Sequence, residues 1–246
     1  MYMFGKVSRV AFILTCMIFV GARFNVTLLS AQDGSAAGSD RPETELQSPI
    51  ALSPVEGSDI GLVYEAFLSP HQEGGEEEDT PALIPPEFRS TAPSVPRAER
   101  TSRGHAVIQF TRDLSRAYVF LAVENVNPDE VVMLHLHCGR PGQLGPILID
   151  FSLAGNINTY LADGLMSIEV TNEDIVDVIN HAHGLVGQFT SGCPIVPGTS
   201  DKVVTIAGME QITRLGELYF NLHTAGQVYF GDIRGQFYPA AVASGS

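Results

Sequence analysis

The sequence predicts an all-β domain, an antiparallel Greek-key sandwich or barrel whose few short helices lie in the connections. Its 24 glycines and 15 prolines, with no tryptophan, favour short strands joined by turns over long helices. Apolar residues recur at every second position in short runs, the period of a strand with one face against a core. About seven such runs follow one another, with helix-start signals only between them. At 246 residues, 44% hydrophobic and 17% charged, the chain can bury a real core and is too short for more than one large domain.

Taken in order, the chain opens with an address. Lys6 and Arg9 precede the uncharged apolar run Val10 to Val20, and Gly21 and Ala22 follow, the order of a secretory signal peptide. The run is about eleven residues, whereas crossing hydrocarbon takes about 20. Residues 1–31 are therefore expected to be a signal, removed after Ala22 or Ala31, with no stable membrane span afterwards. Cutting after Ala31 takes Lys6, Arg9 and Arg23 and no acid, so the basic count falls from 14 to 11 against 28 acids and the net charge moves from −14 to −17. A chain this acidic lacks the basic footprint that neutralises phosphates, which excludes nucleic acid as a partner. Cys16 leaves with the signal. Cys138 and Cys193 remain, and an oxidising compartment turns such a pair into one disulfide.

Residues 32–60 read as a flexible linker, rich in Ser, Gly, Pro and acid. Leu62, Tyr64, Ala66 and Leu68 then alternate as a first strand. Residues 69–103 carry Glu73 to Asp79 (EGGEEED) and prolines at 81, 85, 86, 93 and 96, the composition of a disordered insertion. Its adjacent acids lack the turn glycines that space the ligands of a calcium loop, and are expected to be a solvated run. Ala106, Ile108 and Phe110 start a hairpin that turns at Asp113 to Ser115 and returns over Ala117 to Val126. Val131 to Cys138 (VVMLHLHC) and Pro146 to Leu153 are the next strands, split by Gly139, Pro141, Gly142 and Gly145. Thr171 and Asp174, three residues apart, start a helix reaching Ile179, and Ile206 to Leu215 reads the same way. Glu217 to Thr224 and Gln227 to Tyr238 close the domain as two strands around Ala225 and Gly226, and 239–246 form a tail.

Several of these residues carry a resemblance. His135, Leu136, His137, Cys138 and Gly139, followed by Gly142, Gly145 and Pro146, are similar to the HIHxGxxGxxGP stretch of the CHRD domain. That module is named after chordin and is also seen in many bacterial secreted proteins. Leu218 to Thr224 (LYFNLHT) and Gly231 to Gln236 (GDIRGQ) resemble its terminal YVNVHT and GEIRGQ hairpin, and Leu121 to Val126 (LAVENV) its strand before the histidine pair. Leu134 stands where Ala is usual, Asp232 where Glu is, Cys138 is unusual, and 69–103 and 181–200 look like insertions. The matches run in order over residues 61–238. They imply a secreted or cell-surface (extracellular or periplasmic) all-β module, of the kind that in chordin accompanies binding of a growth-factor ligand.

Read as chemistry, the same residues concentrate polarity. On a strand alternate side chains share a face, so His135 and His137 project together with Met133. His223 shares a face with Tyr219 and Asn221, and Asp232, Arg234 and Gln236 share one on the last strand. If these strands are neighbours, the polar groups meet. One reading is a buried hydrogen-bonded network in which His135, His137 and His223 are supported by Asn221, Asp232 and Arg234. The module is then a non-enzymatic binder of an extracellular protein or polysaccharide and needs no cofactor. The alternative is a copper or zinc site on the three histidines. The Cu/Zn superoxide dismutases, also Greek-key β proteins, place metal on an HxH strand, so a redox activity of that kind belongs to this reading. The fixed charge of Arg234 speaks against it. His181 and His183 form a second HxH in what reads as a flexible polar loop. No nucleophile elbow, P-loop or HExxH pattern is present, so catalysis rests on the metal reading alone.

Overall fold

The computed structural model describes residues 53–182, 187, 190–195 and 200–241. The expected signal at 1–31, the linker up to residue 52, His183 and residues 242–246 lie outside that description. Among the described residues there are nine strands: β1 (Ile60–Leu68), β2 (Arg103–Thr111), β3 (Ala117–Glu124), β4 (Val131–Cys138), β5 (Ile147–Asp150), β6 (Leu165–Val170), β7 (Leu218–Thr224), β8 (Ile233–Gln236) and β9 (Tyr238–Pro239). They form two antiparallel sheets, β6-β3-β2-β1-β9 and β5-β4-β7-β8, that face each other as an open sandwich and do not close into a barrel. The helices are short: α1 (Ile157–Tyr160), α2 (Asn172–Asn180) and α3 (Ile206–Arg214), all in connections. No described helix is long and apolar enough to cross a membrane.

Strand alternation explains the core. Tyr64, Ala66 and Leu68 of β1, Ala106, Ile108 and Phe110 of β2, and Val119 and Leu121 of β3 turn inward from the larger sheet. Leu134 and Leu136 of β4, Phe220 and Leu222 of β7, and Ile233 of β8 meet them from the other. Gly235 belongs to this contact. A Cβ there would lie 2.9 Å from Leu68 Cγ and 3.1 Å from Ala66 Cβ, so the glycine admits the opposite sheet, not Phe220 beside it.

Local chemistry sets several element ends. Asp113 Oδ1 accepts from Thr111 Oγ1 and from Ser115 N and Oγ, which closes the β2–β3 turn. Thr171 and Asp174 form the capping box that starts α2. The disulfide joins Cys138 at the end of β4 to Cys193, with Cα atoms 5.9 Å apart. By loop-closure entropy a cross-link over this span stabilises by about 4 kcal/mol.

Several elements differ from the sequence expectation. Leu165–Val170 is a strand, β6, that the sequence reading passed over. Gln227 to Tyr238 is not one continuous strand, because the chain is held off the sheet before β8. There the carbonyls of Val228 and Phe230 accept from His223 Nδ1 and Asn221 Nδ2, both at 2.9 Å.

Residues 70–102 depart further, for the composition that suggested disorder is tied down. The segment runs through short 3₁₀ turns, Pro70–Gln72, Glu77–Asp79 and Pro86–Phe88. Glu77 is buried, and its carboxylate accepts from Tyr229 N, Phe230 N and Ser90 Oγ. Glu76 pairs with Arg97 and Arg100. Thr91 and Ala92 donate to Ala225 O, and Gln227 donates to Val95 O. Within the acidic run Glu76 and Glu77 are therefore internal acceptors and Glu73 is buried, while Glu78 and Asp79 face solvent as expected. The whole segment acts as a strap over the outer face of the smaller sheet.

Candidate functional site

β4 and β7 are antiparallel neighbours, in a register that sets Met133 opposite His223, His135 opposite Asn221 and His137 opposite Tyr219. β8 continues the row with Arg234 opposite Asn221 and Gln236 opposite Tyr219. The polar residues of three strands thus share the outer face. The strap and the 139–146 loop cover that face, leaving His135, His137 and His223 only 4%, 8% and 4% exposed.

One nitrogen from each of the three histidines lies within 4.8 Å of the others. Each ring also has one side engaged. His137 Nδ1 lies 2.9 Å from Gly145 O, and His223 Nδ1 lies 2.9 Å from Val228 O. A carbonyl only accepts, so both rings carry their proton on Nδ1 and present an Nε2 lone pair. His135 Nε2 faces Asp150 Oδ1 at 3.6 Å, and that oxygen is held by Ser152 N and Oγ. The remaining nitrogens, His135 Nδ1, His137 Nε2 and His223 Nε2, are buried without a hydrogen-bond partner. Burial drives all three rings toward the neutral form. It pushes His135 and His137 well below the usual imidazole value, helped by the neighbouring histidines, and brings His223 down to about 4.

Arg234, 1% exposed, is anchored by neutral groups. Its Nη1 donates to Gln143 O at 2.7 Å, and its Nη2 to Arg140 O at 2.9 Å and Gln236 Oε1 at 3.2 Å. Its Cζ sits 3.4 Å above the Tyr219 ring, whose other neighbour is His137, stacked at 5.0 Å. The order His137, Tyr219, Arg234 follows from the strand order, because all three project from one face. Asp232 is not in this stack. It turns to Arg100, 3.6 Å away, and is not among the groups that hold Arg234. Asn221 binds the Phe230 carbonyl and touches no imidazole hydrogen-bonding position.

A family model described as the CHRD domain matches residues 89–237, which include β4, β7, β8 and all the polar groups above. The chain belongs to the CHRD domain family. No curated protein and no solved structure matches it. The CHRD match starts within the strap, so β1 and residues 70–88 lie outside the matched range although β1 is an interior strand of the larger sheet.

The three histidines line a cavity of about 330 Å³ whose walls include Ile84, Phe88, Met133, Ile147 and Tyr229. A larger hollow of about 870 Å³ lies past the disulfide, against Ile195, Val204 and Leu215, and among the described residues no histidine lines it. The chemistry therefore belongs to the smaller cavity. His181 stands apart, exposed at the end of α2 with Nδ1 against Asp177 O. Sequence reasoning missed Asp150, Glu77 and the apolar strap residues. Ile84 and Phe88, on either side of Pro85, Pro86 and Glu87, were the available signal for the last.

Proposed function

We propose that this CHRD domain holds one transition-metal ion, copper or zinc, on His135, His137 and His223. The observation that carries the reading is the set of three buried, neutral, unpartnered imidazole nitrogens on one cavity. An orphaned buried polar atom costs about 1–3 kcal/mol, so three together call for a shared partner. Backbone carbonyls behind His137 and His223, and a fixed carboxylate behind His135, are the outer partners that orient metal-binding imidazoles. Three nitrogen ligands leave a further position facing the cavity. Water filling the cavity is the competing account and corresponds to the hydrogen-bonded network. Elemental analysis of protein purified without a polyhistidine tag separates them. The metal reading expects about one ion per chain, lost in His137→Ala, and a chelator that lowers the melting temperature of the parent. Metal-free parent protein that is indifferent to both chelator and added metal would return the site to a network.

The outward face of the larger sheet favours a second role. Phe67, His105, Ala122 and Leu165 form one row across four strands, with Phe67 62% and Leu165 60% exposed. Such a face suits an extracellular protein or polysaccharide partner, and the disulfide supports an exported chain. Binding that survives in the Phe67→Ser, Leu165→Ser double variant would remove this face from the reading.

A further inference from the structure

The cavity wall beside the histidines holds a fourth donor of a different kind. Met133 is on β4, two and four residues before His135 and His137 and so on the same face. It pairs directly with His223 across the β4–β7 ladder. Directly opposed residues have Cβ atoms about 5 Å apart, which puts the Met133 side chain beside that of His223. Met133 also lines the histidine cavity. Its unbranched side chain has the freedom to turn its sulfur inward.

Charge points the same way. Among the described residues no acid lines this cavity. Asp150 stands behind His135, and the fixed positive charge of Arg234 lies one aromatic ring away from His137. A wholly neutral ligand set leaves a dication less compensated than a monocation, with the carboxylates of Asp150 and Glu77 standing behind His135 and His223 and not among the ligands. Soft thioether donors select monovalent copper, whereas zinc sites take nitrogen, thiolate or carboxylate oxygen.

We infer that Met133 completes the site as a thioether ligand and that the ion is monovalent copper, which makes this a closed copper-binding site. The inference rests on the three-histidine reading above. It is tested on the full chain, free of any polyhistidine tag, by anaerobic competition with a chromophoric Cu(I) chelator and separately with a zinc indicator. Parent protein is expected to bind one Cu(I), and Met133→Leu to weaken it by about tenfold while zinc affinity moves by less than about twofold. His137→Ala loses both metals. X-ray absorption of the Cu(I)-loaded parent gives an independent readout, with a sulfur shell that disappears in Met133→Leu. A parent that binds neither metal overturns the three-histidine reading and this one together. A parent that binds Cu(I) with a nitrogen-only shell, or with an affinity unchanged in Met133→Leu, overturns the Met133 assignment alone.

Discussion

Arg234 illustrates how much one buried side chain can organise. Its guanidinium ties β8 to the 140–143 loop through two carbonyls and holds the ring on which His137 stacks. Burial lowers its affinity for the proton, yet guanidinium stays charged, so the charge must be solvated internally. Arg234→Ala removes those donors and orphans the loop carbonyls, and is expected to cost more than about 2 kcal/mol in a denaturant melt. Arg234→Lys should recover less than half of that, since an ammonium cannot span both carbonyls in the planar fork. Full recovery by Lys would mean that charge alone, without the fork geometry, holds the loop.

At the scale of elements, the strap decides whether the histidine face is inside or outside. A polar outer face on a two-sheet sandwich normally meets water, and here it is roofed by a segment that brings Ile84 and Phe88 to the histidine cavity. Its attachment is through acceptors, above all the Glu77 carboxylate on the Tyr229 and Phe230 amides. Hydrogen bonds to a charged group contribute about 1.5–3 kcal/mol each. Glu77→Ala is expected to free the strap while leaving both sheets folded. The amides of Tyr229 and Phe230 should then exchange with solvent deuterium at least about tenfold faster, with the β2–β3 ladder unchanged. Uniform acceleration across both sheets would instead make the strap part of the global fold.

The whole molecule should respond to acid in a defined direction. The three histidines are neutral when folded, with His135 and His137 well below 6.5 and His223 at about 4. Between those values and 6.5 the unfolded chain binds more protons than the native one. Stability present above pH 6.5 is therefore lost as pH falls through that window, by up to about 1.4 kcal/mol per pH unit for each histidine. Glu73 acts with the opposite sign. Burial holds its carboxyl well above 4.5, so its contribution is present below 4.5 and lost as pH rises through the folded value. Chelator-treated protein is expected to show a falling urea midpoint from pH 7 to pH 5, and Glu73→Gln a steeper fall because the offset is gone. A midpoint that rises on acidification would contradict the buried neutral imidazoles.

The sequence by itself determined the strands β4 and β7 of the polar site, the sharing of a face by His135 and His137, the capping box of α2 and the pairing of Cys138 with Cys193. Each of these is local or a matter of parity. Alternation, a three-residue cap spacing and two cysteines left after a signal are all readable along the chain. Only the tertiary structure decided that the outer face is buried, that Arg234 answers to carbonyls while Asp232 turns to Arg100, and that Asp150 stands behind His135. The physical reason is that these partners are backbone carbonyls or side chains from distant segments. A carbonyl has the same chemistry at every residue and leaves no mark in the sequence. A strap held by hydrogen bonds has the composition of a loop until the groups it binds are in place.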